Sequence, residues 1–193
     1  MKTEIEVKFL NVDFDQVRAT LVELGATCEQ PMRLMRRALF RTPELIKRDA
    51  FVRVRDEGDK ITVTFKEFKG NTVDGAEETE VSDFDNAVAI FTAGGLDQTS
   101  FQESRRETWH LDDVEIMLDE WPWLDPFIEI EGQTETAVKE KARILGFDWS
   151  QAVFGSAIEV FRLKYPDGRN PNGLIDIPRV RFGDPLPDKF KPL

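Results

Sequence analysis

Residues 4–9 read Glu-Ile-Glu-Val-Lys-Phe and alternate charge with apolar bulk. Successive side chains of a β-strand point to opposite faces, so Glu4, Glu6 and Lys8 share one face and Ile5, Val7 and Phe9 the other. The alternation returns at Val52-Arg53-Val54-Arg55, Thr62-Val63-Thr64-Phe65-Lys66, Glu78-Thr79-Glu80 and Phe127-Ile128-Glu129-Ile130-Glu131, with Arg106 and Asp119 on further strands. Grouped by sign, the polar faces supply the cations Lys8, Arg53, Arg55, Lys66 and Arg106, with Arg33 and Arg37 as weaker members. They also supply the carboxylates Glu4, Glu6, Glu78, Glu80, Asp119, Glu129 and Glu131. Two carboxylates at Glu-x-Glu spacing lie about 7 Å apart along one strand face. That is close enough to share a hard divalent cation, Mg²⁺ or Mn²⁺, which prefers oxygen ligands. Cations at several heights suit a polyphosphate. The combination suggests metal-assisted attack at a triphosphate. Taken singly, each motif is more often a solvated strand face. The case rests on the set lining one charged cavity, because burying so many charges costs too much for stability to be their purpose.

The elements that must position these residues are set by the apolar pattern. Val17, Leu21, Val22 and Leu24 recur at helical spacing, which predicts a helix over 13–25 stopped by Gly25. Strands are predicted at 33–41, 51–55 and 61–66, the last two joined by a turn through Gly58. Residues 44–49 and 67–76 read as loops, and 77–81 as a strand. A second helix runs through Ala87, Val88, Ile90 and Phe91 to Gly94-Gly95. Further strands lie at 104–109, 114–119 and 127–131, interrupted at 121–126 by two prolines that cannot donate to a ladder. A third helix starts at Thr134 and stops at Gly146, and 150–164 is helical in part. Beyond Tyr165 the chain is rich in Pro, Gly and Asp; 174–176 and 180–182 read as short strands and the last ten residues as a loose tail. The order predicts an α+β fold, with about eight antiparallel strands closing into a barrel, a charged interior and helices packed outside.

With 193 residues and 40% hydrophobic composition, one domain with a real core is expected, not a disordered chain. The net charge of −11 argues against nucleic acid or an anionic membrane as partner. Cys28 and His110 are each the sole residue of their type, which argues against disulfide, Cys-zinc and His-metal chemistry. With no apolar leader or span legible, a cytoplasmic protein is expected, as a monomer or homodimer.

Glu4-Ile5-Glu6-Val7-Lys8 resembles the Glu-x-Glu-x-Lys signature of the CYTH superfamily, the triphosphate tunnel metalloenzymes. The later pieces fall in the family's order, and the resemblance covers roughly residues 1–165, leaving 166–193 as a C-terminal extension. It implies an eight-stranded antiparallel tunnel in which Glu4, Glu6, Glu129 and Glu131, assisted by Asp119, bind one or two divalent metals. Lys8, Arg53, Arg55, Lys66 and Arg106 would contact triphosphate, with Arg37 a further candidate. Glu78 and Glu80 match an acidic pair of open role, and with Lys8 they are the candidates for direct participation in catalysis. Two departures stand out: Ser104 occupies a place where the family often has Lys, and Arg37 and Leu39 replace an Asp followed by a Tyr. The first expectation is a Mg²⁺- or Mn²⁺-dependent triphosphatase acting on tripolyphosphate, thiamine triphosphate or a nucleoside triphosphate. The second is a class IV-type adenylyl cyclase, ranked lower because no nucleotide-binding motif is legible. The third is a non-catalytic polyphosphate- or nucleotide-binding protein.

Overall fold

A computed structural model describes residues 5–69, 72–168 and 173–191. In chain order the elements are β1 (Ile5–Leu10), α1 (Phe14–Glu23), β2 (Thr27–Arg41), α2 (Pro43–Lys47), β3 (Ala50–Asp56), β4 (Ile61–Lys69), β5 (Thr72–Val81) and α3 (Phe84–Ala93). Then come β6 (Asp97–Leu111), β7 (Val114–Glu120), β8 (Phe127–Gly132), α4 (Glu135–Ile144), β9 (Val153–Phe154), α5 (Ala157–Lys164) and β10 (Arg179–Val180). Short 3₁₀ turns occupy Trp149–Gln151, Gly173–Asp176 and Asp188–Phe190. The fold is α+β: antiparallel strands with helices packed alongside, and β10 as a short parallel addition. The chain divides into two compact units.

The first unit comprises Met1–Arg33, Arg105–Arg169 and Asp188–Leu193. Here β8 lies between β1 and β7, β7 pairs with β6, and β9 adds to the other edge of β1. The odd positions of β1 and the even positions of β8 (Val7, Phe9, Ile128, Ile130) meet Ile116 and Leu118 in one apolar layer. Val17 and Leu21 of α1, and Val138 and Ala142 of α4, close over that layer. Burying each such aliphatic side chain contributes about 1.5–3 kcal/mol. Asp13 caps α1 by accepting from the Asp15 and Gln16 amides, and Thr134 caps α4. Gly25, at φ +78°, ends α1 with the amide of Ala26 bonded back to Leu21. Of the four residues at helical spacing, Val17 and Leu21 are buried, whereas Val22 and the C-cap Leu24 are exposed.

The second unit comprises Leu34–Ser104 and Asn170–Pro187. Its strand order is β5-β4-β3-β2-β6, with β10 on the outer side of β6. Ala38, Phe40 and Val54 pack under Phe84 and Ala87 of α3, which Asp83 caps. Two stretches read as loops are ordered elements. Thr42 caps α2 and Pro43 takes its first turn, where a missing N–H costs nothing. Strand β4 runs on to Lys69 and β5 begins at Thr72, with a register shift at Glu67/Phe68 that accommodates the polar stretch.

The chain after residue 165 is anchored where it is described, and the loose-tail expectation fails there. In the second unit Ser100 donates to the Ile177 carbonyl (2.6 Å), and Glu103 accepts from Arg181 and from the Phe182 amide. The stretch read as a strand at 174–176 is a 3₁₀ turn, and the later strand is Arg179–Val180. In the first unit Phe190, 5% exposed, stacks on Phe161 (centroids 5.3 Å) and packs against Tyr165 and Trp123. Phe190→Ala should therefore cost about 3–5 kcal/mol in denaturant unfolding. A loss below about 1 kcal/mol would show that the terminus contributes no anchoring.

Candidate metal centre and anion-binding face

In the first unit the antiparallel register sets Glu6 opposite Glu131 and Lys8 opposite Glu129. The carboxylates of Glu6, Glu129 and Glu131 each offer an oxygen within 4.8 Å of the others. Glu4, expected to join them, lies outside the described residues. Lys8 is 1% exposed, and its ammonium reaches Glu6 (3.0 Å), Glu129 (2.9 Å) and the Gly155 carbonyl (2.5 Å). An ammonium has three N–H donors, and these three acceptors use them all. In this geometry Lys8 orients two of the carboxylates. Burial works against its charge, but Glu129 and Glu6 outweigh it and hold its pKa above the ordinary lysine value.

Arg106 stands opposite Asp119 across the β6–β7 pair and forms a two-pronged bond to it, Nε to Oδ1 at 2.7 Å and Nη2 to Oδ2 at 2.6 Å. Its Nη2 also lies 3.6 Å from Glu129. Burial opposes the guanidinium charge, yet Asp119, Glu129 and Glu131 leave its pKa raised. Asp119, expected to assist the metal, commits both oxygens to Arg106 and is not grouped with the three glutamates. Glu6, Glu129, Glu131 and Asp119 set four negative charges against two positive ones from Lys8 and Arg106. The excess of two is what one divalent cation would balance. An all-carboxylate donor set is hard, and suits Mg²⁺, Mn²⁺ or Ca²⁺ rather than a thiophilic metal.

In the second unit Arg37, Arg55, Thr62 and Glu80 stand in register across β2, β3, β4 and β5, and Leu39, Arg53, Thr64 and Glu78 form the next row. Lys66 stands opposite Phe51 and Ala76 one row further. Arg53 donates to Thr64 (3.2 Å), and Thr64 to Glu78 (2.7 Å). Burial and the neighbouring Arg55 push the Arg53 pKa down to about 10, against the opposing pull of Glu78 and Glu57. The Thr64 hydroxyl, ahead of the arginines, holds the Glu78 carboxyl below its usual range despite burial. Glu80 is exposed. Arg37 donates to Ser104 at 2.8 Å, so the two departures from the resemblance meet in one buried hydrogen bond.

Sequence reasoning passed over two charged groups. Glu57, read as a turn residue, is buried against Arg55. Glu107, 5% exposed, sits on the helix side of β6 and accepts from Arg18 and from the Trp109 indole (2.7 Å). A carboxylate where alternation calls for an apolar residue was the available signal for Glu107.

Residues 2–152 match the CYTH domain. The chain belongs to the CYTH family. The match ends at residue 152, short of residue 165. Among solved structures, the PH1012 protein of Pyrococcus horikoshii is 25% identical with a TM-score of 0.63, covering 82% of this chain and 99% of its own. An adenylate cyclase candidate from Vibrio parahaemolyticus is 16% identical at a TM-score of 0.66, covering 82% of this chain and 97% of its own. HpAC1 from Hippeastrum, an adenylyl cyclase candidate described with a dominant triphosphatase activity, is 17% identical at a TM-score of 0.51, covering 84% of this chain and 96% of its own. These likenesses show the CYTH fold. Comparison with curated proteins gives no match. No helix among the described residues is long and apolar enough to cross a membrane.

Proposed function

We propose that this CYTH protein is a divalent-metal-dependent hydrolase of small triphosphates. The observation that carries the reading is the convergence of Glu6, Glu129 and Glu131 within 4.8 Å, with Lys8 and Arg106 both held against Glu129. Glu6, Glu129 and Glu131 hold the ion, Mg²⁺ or Mn²⁺. Once bound, it supplies a Lewis acid to phosphoryl oxygen and eases deprotonation of water. Lys8 and Arg106 fix Glu129 from two sides, so the carboxylate need not reorganise during reaction. Arg53 and Arg55 bind phosphate oxygens, with Lys66 and Arg37 on the same strand face. Held in place before the substrate arrives, these cations offset charge as it develops on the phosphoryl group. Glu78 keeps Arg53 aimed through Thr64. The net charge of −11 favours a small anion drawn to a local basic face over nucleic acid. We place the protein in the cytoplasm, as a monomer or homodimer.

The test incubates the protein with tripolyphosphate, thiamine triphosphate and ATP, each with Mg²⁺ or Mn²⁺, and identifies the products. Orthophosphate release that EDTA abolishes is the expected result. Cyclic AMP and pyrophosphate from ATP would replace the hydrolase with a cyclase, and binding without turnover of any of the three would remove catalysis altogether.

A further inference from the structure

Two threonines occupy equivalent places in the second unit, each between an arginine of β3 and a glutamate of β5 in the same cross-strand row. Their hydroxyls are used differently. Thr64 accepts from Arg53 and donates to Glu78, so its hydrogen bonding is complete within the protein. Thr62 is 2% exposed, and its hydroxyl has no hydrogen-bond partner. It stands directly opposite Arg55, whose buried Nε is also without a partner, as is the Nε of Arg53 in the neighbouring row. Arg55 meanwhile extends its guanidinium end to Glu57. Buried polar atoms in folded proteins are nearly always paired, and a valine of the same shape would avoid the cost at position 62. Three buried donors on one strand face lack an acceptor of their own, although the Glu57 carboxylate reaches the end of the Arg55 guanidinium, and they complement an oxygen-rich anion.

We propose that Thr62 is a phosphate-binding residue, its hydroxyl donating to a non-bridging oxygen of the phosphate group that takes the Nε–H of Arg55. The proposal rests on the triphosphate reading above and adds a neutral, geometry-sensitive contact to the arginines. Cross-strand partners on one face of an antiparallel pair have Cβ atoms about 5 Å apart, within reach of a single phosphate group. Thr62 thereby selects for an oxyanion seated against β3 and β4, where the arginines alone would accept any diffuse negative charge.

The test is calorimetric titration with inorganic tripolyphosphate in EDTA, where metal-dependent turnover is suppressed, on wild type, Thr62→Val and Thr62→Ser. Thr62→Val should weaken binding about tenfold, and it should melt at or above the wild-type temperature because an unsatisfied hydroxyl has gone. Thr62→Ser should restore affinity to within about threefold of wild type. Wild-type affinity in Thr62→Val overturns the proposal, as does a serine variant no better than the valine one. A lowered melting temperature with unchanged affinity assigns Thr62 a structural role instead. A wild-type protein that takes up no tripolyphosphate overturns the triphosphate reading and this contact with it, whereas wild-type binding that survives Thr62→Val overturns the contact alone.

Discussion

Glu131→Gln lowers metal-dependent turnover by at least about a hundredfold, because even residues one shell removed from a metal cost 10–100-fold when lost. The substitution keeps shape and hydrogen-bonding atoms and removes one charge from a cluster where three carboxylates crowd within 4.8 Å. Relief of that repulsion means the melting temperature in metal-free buffer holds or rises. Metal affinity, read by titration of Mn²⁺ into the apoprotein, falls with the activity. Turnover and Mn²⁺ affinity both at wild-type levels would sink the assignment of this cluster as the metal site. The neighbouring Glu129 is a less clean target, since Lys8 and Arg106 both lean on it and its loss takes a carboxylate from each of them.

The second large effect is expected at Arg53. Its guanidinium is largely buried, its Nε has no partner, and burial and the charge of Arg55 push its pKa down to about 10. That shift corresponds to about 3 kcal/mol by which the folded state disfavours the charged form. The sign is that of a base depressed on folding: the penalty is complete below pH about 10 and fades as pH climbs toward the ordinary arginine range. Arg53→Met should therefore leave the protein as stable as wild type or more so, by up to about 3 kcal/mol in denaturant unfolding at neutral pH. The same variant should bind tripolyphosphate at least about a hundredfold more weakly, the loss of a charge-assisted, partly dehydrated contact. A variant that is destabilised yet binds normally would make Arg53 a structural residue.

Much of the architecture is legible in the chain because charge alternates with bulk at period two. Glu6 and Lys8, Arg53 and Arg55, Thr62, Thr64 and Lys66, and Glu129 and Glu131 share faces as their spacing requires. Helix ends are legible for a similar reason: Asp83, Thr134 and Gly25 act only on their own neighbours. The features that escape depend on distant partners. One acceptor of the Lys8 ammonium is the Gly155 carbonyl, 147 residues away. The anchoring of Phe190 needs Trp123, Phe161 and Tyr165 brought to one place by the fold. The α2 helix escapes despite its local signals, because Thr42-Pro43 serves as readily to end a strand as to cap and open a helix. The β4–β5 hairpin exceeds its apolar pattern because ladder bonds require only backbone, and its polar tip carries no apolar rhythm.

The carbonyl that completes the Lys8 shell belongs to Gly155, three residues past the end of the match to the CYTH domain. Trimming the polypeptide at residue 152 would look harmless in an alignment, yet it would take away one of three acceptors from an ammonium with almost no access to water. Anyone shortening or grafting this protein should carry the Val153–Gly155 hook along with the shared core.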